Sequence, residues 1–363
     1  MNRAKKILIV DIKPFKRGGH FRYWYQLLGE VLSNKSEVTG ILNDDVDTIS
    51  ANYFNELIKL SDDTEYLPKI ESWLNRNVNN EKIIILMWAY DYKNDFEALN
   101  NLIHTQNVKI FGIAAISHAL RNSVHKNAVS DDKAILEYFG KRGEKWKILV
   151  WDQFLNIKLP KNNNLLPLPD VPIDAFEEFE FDSELKTKWN SYKYKVGFIG
   201  MLFGYRGLSS IIKQHKNCKD TLFICWGTYK ENMLPYFQRK TMKRALDGQI
   251  PNIYAKNNYL SDGNMSYLLS KIDYFYISSK SYPVSSGISI KAATLGTKIL
   301  TDKADAALND MITRYECGYI IDSLSSIDNN TPNFKSTKLY INDMNNWYCK
   351  KTLVEVLEDY FNL

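Results

Sequence analysis

The chain has 363 residues, of which 45% are hydrophobic and 25% charged, and its formal net charge at pH 7 is +5. This composition is typical of a soluble globular protein and excludes a mainly disordered chain, while the length predicts about two domains. The weakly basic charge is poor evidence for a nucleic-acid partner, and none is expected; it suits an anionic small molecule, an anionic membrane face or merely solubility.

Short apolar runs alternate with helical patterns in the first part of the chain. We expect strands at Lys6–Ile12, Val38–Leu42, Lys82–Trp88, Val108–Ala115 and Ile148–Trp151. We expect helices at Phe21–Leu32, Asn52–Leu60, Leu67–Asn75, Asp95–His104 and Asp132–Phe139. Strands this apolar are buried on both faces, which indicates a parallel sheet covered by helices.

The pattern breaks near Leu159–Pro172, where four of the ten prolines lie, and this stretch is the best linker candidate. The alternation then resumes, with strands expected at Lys195–Ile199, Thr221–Trp226, Asn252–Ala255, Tyr274–Ile277, Lys298–Thr301 and Tyr319–Ile321. Helices are expected at Gly207–His215, Asn232–Leu246, Asp262–Lys271, Ser286–Leu295, Asp305–Tyr315 and Trp347–Phe361.

The repeated alternation predicts an α/β protein of two Rossmann-like domains. The N-terminal domain is expected at 1–165 and the C-terminal domain at 173–345, with a final helix in 346–363 that packs back toward the N-terminal domain. Ligands of such sheets bind outside the carboxyl ends of the strands, so two facing domains would form a cleft.

Neither the cysteines nor the apolar segments indicate an exported or membrane-spanning protein. The four cysteines form no C-x-x-C pair and lack zinc-type spacing, so we expect reduced thiols. The longest apolar stretch, about Ile83–Tyr90, is far shorter than the roughly 20 residues that span a bilayer. We expect a cytoplasmic protein that is at most peripherally bound to a membrane.

Three loops that follow predicted strands carry small or basic residues suited to an anion. The first contains Gly18-Gly19, and a glycine pair before a helix lets backbone N–H groups approach a phosphate. The second ends in Arg206-Gly207, where a guanidinium could donate two hydrogen bonds to a diphosphate. The third, Ser285-Ser286-Gly287-Ile288, opens a helix whose free N–H groups and dipole favour an anion. A tight turn and a serine helix cap are the purely structural alternatives.

Two titratable side chains follow strands of the first domain at their carboxyl ends. His118 comes after Val108–Ala115, and an imidazole can take up a proton near neutral pH. Asp91 follows Lys82–Trp88 and is a second candidate base. The structural alternatives are a packing or capping histidine and a solvated loop carboxylate.

These loops, in this order, resemble those of the GT-B glycosyltransferases, in particular the large retaining group that uses nucleotide-activated sugars. The resemblance covers most of the second domain and is patchy in the first. It implies two Rossmann-like domains facing each other across a cleft, with Gly18-Gly19 near the donor phosphates and Arg206 on the diphosphate. It also implies that the strand ending at Gly227 is the second of its domain, that the segment with Tyr259 holds the base, and that His118 faces the transferred sugar.

The chain departs from this family at the third loop. The family places two glutamates eight residues apart there, whereas this sequence has Pro283 near the first position and Lys291 at the second. The family also often carries an arginine just after the strand glycine, where this chain has Met201. The family's contacts to the donor ribose and sugar therefore do not carry over, and Lys291 would either meet a phosphate or lie at the surface.

The resemblance implies a glycosyltransferase that needs no cofactor and no metal, since no D-x-D-like carboxylate motif stands where a metal would be held. Its partners would be a nucleotide sugar and a saccharide or lipid-linked acceptor, as in the synthesis of bacterial capsule, O-antigen or exopolysaccharide at the cytoplasmic face of the inner membrane. Three alternatives stay open: a sugar-nucleotide 2-epimerase, a non-catalytic GT-B-like partner subunit, and a nucleotide- or sugar-binding module.

Overall fold

The structure is a computed structural model that describes residues 5–13, 19–43, 52–62, 65–104, 106–114, 126–151, 164–278, 287–303, 306–329 and 338–363. These residues form two compact units. The first unit contains the described parts of 5–169 together with 350–363, and the second contains the described parts of 170–349.

Within the described residues, the first unit contains seven parallel strands in the order β3-β2-β1-β4-β5-β6-β7. The strands are β1 Lys6–Asp11, β2 Glu37–Asn43, β3 Glu56–Leu60, β4 Lys82–Leu86, β5 Val108–Ala114, β6 Trp146–Val150 and β7 Leu165–Pro167. The helices are α1 Gly19–Ser33, α2 Tyr66–Arg76, α3 Phe96–Ile103 and α4 Lys126–Gly140. The central strands β1 and β4 are buried along almost their whole length, as their unbroken apolar runs predict.

The described residues of the second unit contain six parallel strands in the order β10-β9-β8-β11-β12-β13. The strands are β8 Tyr194–Met201, β9 Thr221–Thr228, β10 Ile253–Lys256, β11 Tyr274–Tyr276, β12 Lys298–Asp302 and β13 Gly318–Ile321. The helices are α5 Ser183–Ser191, α6 Leu208–Gln214, α7 Tyr236–Leu246, α8 Asp262–Lys271, α9 Gly287–Thr294, α10 Ala306–Tyr315 and α11 Ser326–Asn329. The predicted parallel α/β architecture is confirmed in both units.

The end of the chain differs from the sequence prediction of one helix at Trp347–Phe361. The structure has two helices there, α12 Lys338–Trp347 and α13 Lys350–Phe361. The second belongs to the first unit, where the rings of Phe361 and Phe111 lie 4.6 Å apart in an edge-on arrangement. No helix in the described part of the chain has the length and apolar character needed to cross a membrane.

The helix expected at Asn52–Leu60 is wrong. Residues Glu56–Leu60 form β3, an edge strand whose residues pair with Thr39–Asn43 of β2. The apolar residues of this stretch fit either period, and the open edge of β2 decides in favour of a strand because its backbone groups need partners. The linker candidate also contains a strand, β7, which pairs with β6 at the other edge of the sheet.

A fully buried cation fixes the turn between α2 and β4. Lys82 is 0% exposed, and its Nζ donates hydrogen bonds to the main-chain oxygens of Asn77, Asn80 and Val78 at 2.9, 3.1 and 3.3 Å. Burial lowers the pKa of this lysine. The ammonium therefore stabilises the turn that follows α2, in which the Asn77 oxygen also accepts a hydrogen bond of 3.1 Å from the N–H of Asn80.

Replacing Lys82 with methionine is expected to lower the free energy of unfolding by about 2–3 kcal/mol, because three main-chain oxygens of the turn would lose a charged donor. Urea unfolding of the full chain measures this loss. Lys133→Met, which removes an exposed lysine from α4, is the control and should change stability by less than about 0.5 kcal/mol. Equal effects of the two substitutions would contradict the structural role of Lys82.

Candidate functional site

The second sheet reverses its strand order between β8 and β11, which is where open α/β sheets bind ligands, outside the carboxyl ends of the strands. From β8 the chain proceeds outward through β9 and β10 on one side, and β11, β12 and β13 lie on the other. Three of the predicted donor-site features, Arg206, Gly227 and the Gly287–Ile288 helix start, lie in segments at this edge. The structure thus brings them to one end of one sheet.

Two glycines let β8 and β9 approach each other closely at this edge. Gly200 and Gly227 are opposite each other in the strand register, with φ angles of 101° and 152°. A Cβ atom added to Gly227 would lie 1.7 Å from the carbonyl oxygen of Gly200, so no other residue fits without moving the backbone. Gly227 is the last residue but one of β9, which is the second strand of its unit in chain order, as the sequence resemblance implies, although the strand ends at Thr228.

Arg206 lies on a short 3-10 turn, Gly204–Arg206, that leads from β8 into α6. Its carbonyl oxygen accepts a hydrogen bond of 2.9 Å from the N–H of Ser278, which follows β11. The next residue, Gly207, has a φ of 119°, and a Cβ atom there would lie 2.8 Å from the Tyr276 ring. The backbone of Arg206 is therefore held across the point at which the strand order reverses, and its side chain is half-buried.

The start of α9 lies beside the end of β8. The helix begins at Gly287, and the side chain of Ile288 would be 3.6 Å from a Cβ atom added to Gly200. The first N–H groups of a helix have no intrahelical acceptor and carry a partial positive charge, so this helix start favours a negative group. Ser285 and Ser286, which the sequence also places here, lie outside the described residues.

Lys291 is buried rather than at the surface. It is 5% exposed, and its Nζ donates a hydrogen bond of 3.0 Å to the main-chain oxygen of Asp262, the first residue of α8. Burial lowers the pKa of Lys291, while the carboxylates of Asp262 and Asp174 act in the opposite direction. The ammonium therefore joins α9 to α8 within the second unit.

Tyr259 follows β10 at the same edge of the sheet, and its side chain is 74% exposed. Since β10 is two strands from β8, the two strand ends lie roughly 10 Å apart. An exposed aromatic ring at this edge of the sheet has a face available for stacking.

A polar pair at the end of β12 is a feature that the sequence analysis missed. The Ser278 hydroxyl donates to Asp302 Oδ2 at 2.5 Å, and Asp302 lines a cavity of about 250 Å³ together with Ser210 and Tyr276. The available signal was an aspartate directly after the predicted strand Lys298–Thr301. In the part of the chain that the structure describes, no three His, Cys, Asp or Glu side chains group closely enough to hold a metal ion.

In the first unit, Asp91 lies on a short turn, Ala89–Tyr92, that follows β4. Lys13, which follows the neighbouring strand β1, places its Nζ 3.8 Å from Asp91 Oδ1. The Asp91 side chain is 17% exposed, so a partly buried acid and a cation meet where this sheet also reverses its order. Gly19 is the first residue of α1, whereas Gly18 and His118 lie outside the described residues.

The whole chain is similar in structure to solved glycosyltransferases. Sucrose-phosphate synthase from Thermosynechococcus elongatus matches with a TM-score of 0.67 at 11% identity, covering 99% of this chain and 98% of that chain. HepE from Anabaena, solved in complex with UDP and glucose, matches with a TM-score of 0.67 at 11% identity and coverage of 98% and 99%. A glycosyltransferase from Rickettsia africae matches with a TM-score of 0.66 at 13% identity, covering 99% of this chain and 98% of that chain.

The chain has the GT-B fold. The sequence itself matches no protein-family model and no curated protein. At identities this low the likeness extends to the fold alone, so the roles of individual residues depend on the geometry described above. The GT-B resemblance that the glycine-containing loops indicate is confirmed at the level of the fold.

Proposed function

We propose that this chain transfers a sugar from a nucleotide-sugar donor to a saccharide or a lipid-linked saccharide. The observation that carries the proposal is the edge of the second sheet where Arg206, the Gly200–Gly227 pair and the start of α9 converge. HepE, a GT-B neighbour with almost complete mutual coverage, was solved with UDP and glucose, which supports a nucleotide sugar as the ligand class.

In the proposed reaction, the donor diphosphate lies between the Arg206 guanidinium and the N–H groups at the start of α9. A guanidinium can bind two oxygens of a diphosphate at once, and the helix start adds partial positive charge. The guanidinium contact and the helix-start contact both become more favourable as the sugar–phosphate bond breaks and negative charge grows on the leaving diphosphate. This charge stabilisation supports transfer that needs neither a metal nor a cofactor. Asp91 and His118 are the candidate residues for the acceptor side.

We further propose that the acceptor is an intermediate of bacterial surface polysaccharide synthesis and that the protein works at the cytoplasmic face of the inner membrane. A lipid-linked acceptor would require peripheral contact with that membrane. The mildly basic net charge of +5 supports such contact, because the cytoplasmic leaflet is anionic.

Replacing Arg206 with alanine is expected to lower kcat/KM for the nucleotide sugar about 100-fold, because the growing charge on the leaving group loses the paired guanidinium hydrogen bonds. The assay follows nucleotide release from a panel of nucleotide sugars with and without acceptor. Arg76→Ala, at an exposed surface ion pair with Glu56 in the first unit, is the control and should leave the rate unchanged. Full activity of both Arg206→Ala and His118→Ala would refute this site.

A non-catalytic GT-B-like subunit is the second candidate. It is favoured by Lys291, which stands where the resembled family has its second glutamate and is engaged with a main-chain oxygen of α8. A thermal-shift panel of nucleotides separates the two candidates, since a functional donor site would be stabilised by its ligand and a lost one would not. Conversion of the donor without any acceptor would instead indicate an epimerase.

A further inference from the structure

Two adjacent aromatic side chains of the second unit stand in water at the start of α7. Tyr236 is 85% exposed and Phe237 is 70% exposed. The opposite face of the helix is buried through Gln238, Met242 and Ala245, which fixes the orientation of α7 on its unit. The aromatic rings therefore cannot turn inward, and exposed apolar groups of this size mark an interaction surface.

Basic side chains continue the same outer face toward the end of α7. Lys240, Lys243 and Arg244 are all exposed and follow the aromatic pair at helical spacing. None of the three has an ion-pair partner within the residues that the structure describes. The carboxylate nearest to them along the chain is Asp247, directly after the helix. The basic residues Lys240, Lys243 and Arg244 therefore give the outer face of α7 a positive charge that surface ion pairs do not neutralise.

A cavity of about 370 Å³ adjoins the second half of α7 at the amino-terminal edge of the sheet, the edge opposite the proposed donor site. Arg244 contributes to its lining together with Lys216 and Lys219, which precede β9. His215 lies in its wall and is 6% exposed. Burial lowers the pKa of His215, and the charges of Lys216 and Arg244 lower it further, as expected where the local potential is positive.

We propose that this surface docks the protein on an anionic phospholipid bilayer. With α7 lying flat on the membrane, Tyr236 and Phe237 would insert at the level of the headgroups, while the cations of α7 would meet lipid phosphates. The adjoining cavity, with Lys216 and Lys219, has the size and charge to receive one phosphate-bearing headgroup. Tyrosine and phenylalanine beside unpaired lysine and arginine suit this interface better than they suit a purely polar partner.

The test is cosedimentation of the full chain with vesicles, performed without any sugar donor, so its result is independent of the proposed transferase activity. We expect binding to phosphatidylcholine vesicles that contain phosphatidylglycerol, and much weaker binding to phosphatidylcholine alone. Because each basic residue near an anionic surface adds roughly a fivefold preference, Lys240→Gln, Lys243→Gln and Arg244→Gln together should lower partitioning about 100-fold. Tyr236→Ser with Phe237→Ser should lower it about tenfold.

The matched control removes the same number of positive charges from a different part of the chain. Lys133→Gln, Lys141→Gln and Lys145→Gln alter three exposed lysines of the first unit and should leave vesicle binding within about twofold of the parent. All the substituted side chains are exposed, so melting curves should coincide and a folding defect can be recognised. Absence of binding to anionic vesicles, or an equal loss in the control variant, would overturn the proposal.

Discussion

Replacing Gly227 with alanine is expected to lower the free energy of unfolding of the second unit by about 3–5 kcal/mol. The added Cβ would overlap the Gly200 carbonyl oxygen at 1.7 Å; that oxygen is a main-chain atom, and the Cβ position is itself fixed by the main chain of the paired strand. No side-chain rotation relieves such a contact, so β8 and β9 must move apart at the Gly200–Gly227 pair. The φ of 152° at Gly227 adds a backbone conformation that alanine rarely adopts.

Urea unfolding of the full chain measures this loss, and hydrogen exchange of the β8 and β9 amides assigns it to the second unit. Gly143→Ala is the matched control, because Gly143 also has a positive φ, 62°, but a Cβ atom there would have no neighbour within 4 Å. We expect this control to lower the free energy of unfolding by about 1–2 kcal/mol, which is the cost of backbone strain without a steric overlap. If the two variants lose stability equally, the close approach of the two strands is not as described.

The same Gly200–Gly227 contact shows what sequence could and could not establish about the site. The glycine-containing segments identified the edge where strands end, because glycine after an apolar strand is a local signal. The reason for Gly227, however, is the opposing residue Gly200, and that pairing depends on the register of two strands 27 residues apart. A single sequence contains no information on that register.

The fold was predictable wherever apolar runs are long and unbroken. Parallel strands buried on both faces produce such runs, and the central strands of both sheets were identified for this reason. The two strands that were missed, β3 and β7, are short edge strands. β7 has only three residues and ends at Pro167, which an edge position tolerates because the missing N–H is not needed there.

A helix that follows the linker was missed for a different reason. This helix is α5, which buries only Leu185 and so has almost no apolar face. The local signal was the N-cap: Asp182 accepts a hydrogen bond of 2.8 Å from the N–H of Leu185. Capping residues predict helix starts independently of apolar periodicity, and here the cap was the stronger evidence.

Contacts between residues that are distant in sequence were beyond prediction even where one member, such as Asp91, had been identified. Lys13 and Asp91 meet because β1 and β4 are neighbours, an adjacency that follows from the Rossmann strand order rather than from local pattern. Lys291 illustrates the complementary limit. Helical spacing predicts that it lies on α9, but which face of α9 packs on α8 is decided by tertiary contacts.

Replacing Lys291 with glutamate, the residue that the resembled glycosyltransferases carry at this position, is expected to lower the free energy of unfolding by about 3–5 kcal/mol. The buried carboxylate would face the Asp262 main-chain oxygen, an acceptor, and would stand near the carboxylates of Asp174 and Asp262. An uncompensated buried charge carries a penalty of this size. Thermal and urea unfolding of the full chain measure it.

Lys291→Met separates loss of the cation from reversal of its charge. Methionine keeps the apolar stem and removes the charged donor to the Asp262 oxygen, which still accepts from Ser266 Oγ at 2.8 Å, so we expect a loss of about 1–2 kcal/mol, clearly smaller than that of Lys291→Glu. Adding Asp174→Asn to Lys291→Glu should recover part of the loss, and the double-mutant cycle gives the coupling. If Lys291→Met instead weakens nucleotide binding at unchanged stability, Lys291 contacts the donor. If the expected order holds, the lysine joins α8 to α9, and any donor site here operates without the second glutamate of the resembled family.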